Sequence, residues 1–389
     1  MQWITETYVN FASIIDDVTL AQNRMTSTMP FVYPHFASMP DAHLGKGCAV
    51  GSVLPTLGAI IPAAVGVDIG CGMVAVRTDY SAQDVARFDR RPLRESIERA
   101  VPLSAGNNNK RVSASAQPRV ATLEQDARHA GFDPASYVKD WRLQLGTLGS
   151  GNHFIEVSLD EADDVWLFLH SGSRGIGNRI AQRHIRAAQD YCARRSIALP
   201  HQDLAYLEEG TPEFDRYISE LMWAQKFALL NREEMMDRVV RQFGHWVGGP
   251  VAERERINCH HNYTQRETHY GKEIWLSRKG AIAAGPGRPG LIPGSMGTRS
   301  YVVTGKGHRE AMDSAPHGAG REYSRNAARK TFTQDQLRTA MRGIEFRDTA
   351  AFLDEIPATY KDIDVVMRDA ADLVDVRHTL RQMVNVKGD

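Results

Sequence analysis

Cysteine is scarce in this chain. Four in 389 residues, Cys48, Cys71, Cys192 and Cys259, lie far apart and form no CxxC pair. A disulfide framework is excluded, and reduced thiols in a cytoplasmic protein are expected. An excess of either charge is also lacking, since 47 Lys and Arg balance 47 Asp and Glu. That excludes a protein coating polyanions over its whole surface, although a local basic groove stays possible. The opening MQWITETYVNFAS has no basic start followed by an apolar block, so no signal peptide is expected. Residues 47–67 carry no charge and match the length of a membrane span, about 20 residues. Pro55, Pro62 and the glycines would break a helix there, so buried strands and no membrane contact are expected.

No repeat of fixed period and no composition shift divides the chain, and one domain over residues 1–389 is expected. The first 80 residues read as short strands and tight turns. Apolar spacing of three and four predicts helices over 81–101, around 119–145, over 179–195 and along 203–243. Between the first two lies LSAGNNNKRVSASAQP, expected as a mobile loop. HFIEVSL and DVWLFLHSGS predict strands, residues 255–305 return to strands and glycine loops, 333–374 are mixed, and LRQMVNVKGD closes the chain as a strand. Helices and strands interleave without the alternation of a doubly wound sheet, which gives an α+β fold.

Chemistry concentrates beside glycines. GVDIGCGM sets Asp68 and Cys71 three apart in a turn, a carboxylate and thiolate suited to zinc, iron or manganese and unlike a calcium loop. GSGNHFIEV puts His153 before a strand, and FLHSGSRGIGNR puts His170 at the end of one. INCHHNYTQ offers His260 and His261, of which an extended backbone turns only one toward a given site. Singly, each is an ordinary structural residue; the case for metal rests on the set. GSRGIGNR, HGAGREYSR and AAGPGRPGLIPGSMGTRSYVV are three glycine loops able to approach a phosphate or base, yet no Walker loop is present. Together with the metal set they suggest a nucleoside triphosphate site. His317, in DSAPHGAGREYSR, is open at this level to three roles: ligand, base or nucleophile.

PDAHLGKG, GVDIGCG, GSGNHFIEV, HSGSRGIGN, CHHNY, IPGSMGTRSYVV, SAPHGAGR and a terminal VKG follow one another in an order that resembles the RtcB family of RNA-splicing ligases. The likeness runs from about Met39 to Gly388. It implies a single α+β ligase domain, with mixed and antiparallel sheets around a buried metal and nucleotide site and helices outside. It implies joining of an RNA 3′-phosphate or 2′,3′-cyclic phosphate end to a 5′-hydroxyl end, with GTP and manganese, two ions per site. Asp68, Cys71, His153, His170 and His261 match the family's metal ligands; His261 is the histidine directly before the asparagine. Asn152, His153, Phe154, Ile155, Glu156, His261, Asn262, Pro293, Gly294, Ser295, Met296, Ser300, His317, Gly318, Ala319, Gly320 and Lys387 match positions that hold the guanine nucleotide. His317 matches the histidine that becomes guanylylated.

Arg174, Arg278, Lys279 and Arg321 are expected to hold RNA phosphates. The sequence departs from the family pattern at Ser277, where a histidine is usual, and at Pro316, where cysteine is common. Its shortness suggests a bacterial paralogue. The broken RNA served, tRNA, ribosomal RNA or another, stays open, as does an activating protein partner. Two other enzymatic readings use the same residues: a dinuclear metal phosphoesterase acting on cyclic phosphates, and an enzyme that caps RNA ends without efficient joining.

Overall fold

A computed structural model describes residues 1–389. Two sheets form its centre. The first, of six strands, runs in the order Gln2–Thr5, Tyr8–Asn10, Phe36–His43, Val50–Thr56, Lys272–Lys279, Asn262–His269. The second, of seven, runs Glu253–His260, Gly72–Ser81, Asp164–Ser171, Phe154–Leu159, Val374–Lys387, Ser300–Gly305, Pro289–Ile292. Pairing is antiparallel except for Tyr8–Asn10 against Phe36–Ser38, so the first sheet is mixed, the second is antiparallel, and the fold is α+β, as expected.

The alternation of side chains along a strand explains both cores. Met73 and Ala75 join Met39, Val53 and Leu276 in one apolar cluster that draws on both sheets. Val74 and Val76, pointing the other way, pack with Leu93, Ile97, Met235, Val239 and Phe243 on the helices Arg90–Ala100 and Pro212–Val247. The second sheet is therefore buried on both faces, which is why VWLFLH reads as an unbroken apolar run rather than an alternating one. Helices Gln117–His129 and Arg174–Arg194 add a third core against the same long helix.

The expected strands of residues 47–67 appear as Val50–Thr56 and Ala59–Ile60, and no helix of the chain is long and apolar enough to cross a membrane. Other boundaries differ. Residues 81–101 form two helices, Ala82–Val85 and Arg90–Ala100, because Asp89 caps the second one afresh. The helix expected around 119–145 stops at His129, before Gly131 at φ +70°, and short 3-10 turns follow. The helix expected over 179–195 begins at Arg174 instead. The long helix begins only at Pro212, after the Thr211 cap, and ends at left-handed Gly248.

The loop 103–118 is not free. Asn109 Nδ2 donates to the Leu143 and Leu145 carbonyls at 2.8 Å, and the Ser113 and Ser115 hydroxyls donate to buried Glu234. Polar, small side chains serve here as anchors to an inner carboxylate, not as a sign of mobility.

Candidate active site

Four adjacent strands of the second sheet end at one edge. Cys71 precedes Gly72–Ser81, His153 precedes Phe154–Leu159, and His170 lies near the end of Asp164–Ser171, with its Cα opposite Met73 and Phe154. His261 is the link where the chain leaves the second sheet after Glu253–His260 and enters the first at Asn262–His269. Its backbone N–H donates to the Cys71 carbonyl at 2.7 Å. Asp68 reaches in from the turn before Cys71, its carboxylate lying where a Gly172 side chain would be: a Cβ there would sit 2.1 Å from Asp68 Oδ1.

The five side chains meet. Cys71 Sγ lies 3.4 Å from His153 Nε2 and 3.3 Å from His170 Nε2. His153 Nε2 is 3.0 Å from Asp68 Oδ2, and His170 Nε2 is 2.8 Å from His261 Nε2. They form two ligand groups, Asp68–Cys71–His153 and Cys71–His170–His261, sharing the thiol.

Each Nδ1 is already committed: His153 donates to the Leu148 carbonyl at 2.9 Å, His170 to the Asn152 carbonyl at 3.1 Å, and His261 to Asn262 Oδ1 at 3.1 Å. The Asn262 oxygen is identified by the Gly280 N–H that it also accepts. The Nε2 atoms therefore carry lone pairs that face one another and the Asp68 carboxylate. Such a contact repels unless a cation lies between, so the donor set fits a metal centre. Burial, reinforced by the neighbouring imidazoles His153 and His317, holds the His170 group well below the usual histidine range and keeps it neutral. Burial and the same His317 act likewise on His261. Burial, with Asp68 beside it, pushes the Cys71 thiol well up, so ionising it calls for a metal.

His317 lies next to this cluster, its ring 4.6 Å from that of His261, but it is no member of either group. Its Nδ1 donates to Asp41 Oδ2 at 2.6 Å, and the backbone N–H groups of His317 and Gly318 donate to the same oxygen at 3.0 and 3.2 Å. Asp41 is fully buried, on the strand Phe36–His43 of the first sheet. Gly320, at φ +74°, lets the loop pass the Asp41 backbone, where a Cβ would approach its carbonyl oxygen to 2.3 Å.

A cavity of about 320 Å³ opens from the cluster. Its lining includes Asn152, Phe154, Glu156, Asn262, the Pro293–Met296 loop, the 317–320 loop and Lys387, all expected nucleotide positions. Ser300 stands behind, its hydroxyl 3.4 Å from Glu156 Oε2. Ile155 does not reach the cavity: alternation along the strand turns its side chain into the apolar core with Val74 and Leu169. Burial raises the Glu156 carboxyl to about 8, although Lys387 pulls the other way. Lys387, at the far end of Val374–Lys387, pairs with Glu355 at 3.1 Å.

The expected phosphate-holding cations divide. Arg278 is fully buried, bonded to Glu267, Tyr263, Ser314 and the Met312 carbonyl, and has no face left for RNA. Lys279 gives its ammonium to the carbonyls of Lys46, Cys48 and Ala63. Arg278 is structural, lying between the sheet and the loops packed on it, whereas Lys279 also lines the cavity. Arg321 lines the cavity but is tied to Glu355, Tyr360 and the Asp354 carbonyl. Arg174 also has no carboxylate within 4.0 Å; its Nε donates to Thr147 Oγ1 and its guanidinium lies against Gly149, beside His153.

Sequence reasoning missed Asp41, His43, Lys46, Arg325, Glu355 and Tyr360 around this site. PDAHLGKG carried the first three, but nothing in the linear chain couples residue 41 to 317. Arg325 closes HGAGREYSR, while Glu355 and Tyr360 fall outside any recognisable motif.

The groups Asp68–Cys71–His153 and Cys71–His170–His261, sharing one thiol beside an acid-paired histidine and a cavity, make up the candidate metal centre of an enzyme. The profile of the family described as tRNA-splicing ligase RtcB matches residues 22–388. The RNA-splicing ligase RtcB of Escherichia coli (strain K12) is 49% identical over 384 residues, covering 93% of this chain and 92% of that protein. The tRNA-splicing ligase RtcB of Pyrobaculum aerophilum is 30% identical over 435 residues, with 94% and 90% covered. That of Mycobacterium tuberculosis, an RNA-splicing ligase RtcB, is 29% identical over 406 residues, with 88% and 93% covered. The chain belongs to the RtcB ligase family. It is an RNA ligase.

Proposed function

We propose that the enzyme joins an RNA 3′-phosphate or 2′,3′-cyclic phosphate end to a 5′-hydroxyl end, using GTP and passing through a guanylate on His317. The observation carrying this reading is the Asp41–His317 pair. With Nδ1–H donated to Asp41, the ring is held as the tautomer whose Nε2 lone pair is free, and that atom has no protein partner. A ligating histidine would have its Nε2 in the cluster; a nucleophile needs it free and facing a cavity.

In this reading Nε2 attacks the α-phosphorus of GTP, an N–P bond forms, and pyrophosphate leaves with the electrons of the broken P–O bond. Asp41 stabilises the positive charge that the ring gains. The RNA 3′-phosphate then takes GMP from the histidine, and the 5′-hydroxyl displaces GMP from that activated end. Two divalent ions held by Asp68, Cys71, His153, His170 and His261 would supply charge withdrawal from the phosphate oxygens. The thiol, imidazole and carboxylate set suits several such ions, and manganese follows from the family likeness. Glu156, when ionised, can accept the N–H edge of a guanine, with Ser300 and Asn385 fixing its place.

The whole chain would act as one ligase domain, a reading supported by a site that draws on residues from Asp41 to Lys387. Four unpaired cysteines suit a reducing compartment such as the cytoplasm. Its relatives, RNA-splicing and tRNA-splicing ligases, support tRNA splicing or RNA repair as the role.

Incubation with GTP radiolabelled at the α-phosphate, with Mn²⁺, should label the protein through an acid-labile, alkali-stable bond. GTP labelled at the γ-phosphate should leave it unlabelled. If His317→Ala takes up as much α-label as the wild type, the nucleophile assignment fails.

A further inference from the structure

A second concavity, of about 940 Å³, is bounded by the end of helix Arg90–Ala100, the loop 103–118 and the C-terminal part of helix Pro212–Val247. It shares no lining residue with the cavity at the metal ligands. Arg99, Lys110, Arg111, Arg238 and Arg241 line it, and no Asp or Glu does. In a chain with equal numbers of basic and acidic residues, that segregation has a structural cause.

The carboxylates of the long helix are consumed by other partners. Glu234 pairs with Arg119 at 2.7 Å and Arg238 at 2.9 Å, Asp237 with Arg119 and Arg256, and Glu233 with Arg256. Arg99, Lys110, Arg111 and Arg241 are left exposed, without a carboxylate within 4.0 Å. The same network fixes the loop on each side of Lys110 and Arg111. Asn109 is held by Leu143, Leu145 and Arg238, and Ser113 by Glu234 and Arg238. Two neighbouring cations are thus presented on a pinned loop, so little ordering entropy is lost when they meet an anion.

We propose that this groove binds the phosphodiester backbone of the RNA substrate, away from the ends being joined. The proposal rests on the chain's being an RNA ligase. Unpaired cations with no opposing carboxylate favour a polyanion of repeated charge, and the amides of Asn108, Gln117 and Gln242 add donors for phosphate and sugar oxygens. Sequence-independent backbone contacts would add affinity for the body of an RNA without selecting its ends.

The test compares wild type with the triple variant Lys110→Ala, Arg111→Ala, Arg241→Ala, reading fluorescence anisotropy of a long single-stranded RNA and of an oligonucleotide of a few residues bearing only the 3′-phosphate. The triple variant should bind the long RNA about tenfold or more weakly, and its log–log salt slope should flatten by about 0.7 for each phosphate no longer neutralised. The short oligonucleotide should bind unchanged, and labelling by GTP, which needs no RNA, should keep its wild-type rate. The charge-retaining variant Lys110→Arg, Arg111→Lys, Arg241→Lys should restore affinity, which separates charge from fold. Unchanged affinity and slope for the long RNA would overturn the proposal. So would equal weakening of the short oligonucleotide, or a wild-type groove that takes an acidic polypeptide and not RNA. Should the wild type itself fail to label with GTP, the His317 reading falls while the binding comparison still decides this one.

Discussion

Asp41 grips His317 at two points, Oδ2 lying 2.6 Å from the ring Nδ1 and 3.0 Å from the backbone nitrogen. The carboxylate thus sets the tautomer and the position of the ring together. Asp41→Asn keeps the shape and an acceptor oxygen but removes the charge that balances an imidazolium. Guanylylation by GTP should slow by about 10²-fold or more, with the metal content unchanged. A single-turnover rate equal to wild type would sink the role given to Asp41.

Sharing of one thiol between two ligand groups makes Cys71 unlike the other cysteines. Cys71→Ala should lower the metal retained per chain, measured by elemental analysis after equilibration with Mn²⁺, and abolish ligation. Cys192 is buried among helices, donating to the Tyr206 carbonyl. Cys192→Ala should cost about 1 kcal/mol of stability and leave metal content intact. Equal metal loss in the two variants would undo the assignment.

Glu156 ties the cavity beside the Cys71 cluster to pH. Burial raises its carboxyl to about 8 from the usual value near 4.5. In that window the folded state binds more protons than the unfolded chain. The stabilisation from this group is complete below the unfolded value and is lost as pH rises through about 8. The nucleotide-free protein should therefore lose part of its thermal stability between pH 5 and 9, and Glu156→Gln should flatten that slope. Parallel profiles for the two proteins would show that Glu156 does not titrate there.

Arg278, fully buried against Glu267, belongs to stability and not to RNA. Arg278→Ala strands the partner carboxylate and should cost about 3–5 kcal/mol in chemical denaturation. The salt dependence of RNA binding, measured where the variant is folded, should keep the wild-type slope. A flatter slope would return Arg278 to the phosphate contacts.

The sequence disclosed the candidate ligand cluster, because glycine turns and strand ends mark where Asp68, Cys71, His153 and His170 stand, while the choice of His261 over His260 came from the family likeness. It disclosed the strands and the long helix through their periodicity. Helix limits were less legible, since Asp89, Thr211 and Gly131 act as local caps and stops that an apolar count overlooks. Arg278 misled for a different reason. A cation next to a glycine loop looks the same in sequence whether it faces solvent or an inner Glu267. The fate of LSAGNNNKRVSASAQP was likewise hidden, because Glu234, its anchor, lies on a helix far along the chain.

Asp41 and His317 are separated by 276 positions, yet the chemistry proposed here requires their contact. Loops of that length close late, after local helices and hairpins have formed, because the entropy of closure must be met before the contact gives anything back. The pair therefore exists only once these two distant segments have met. A half-folded chain would carry metal-ligand side chains and glycine loops but no oriented nucleophile. In the proposed chemistry, nucleotide uptake on His317 would depend on that long-range contact and fall with it.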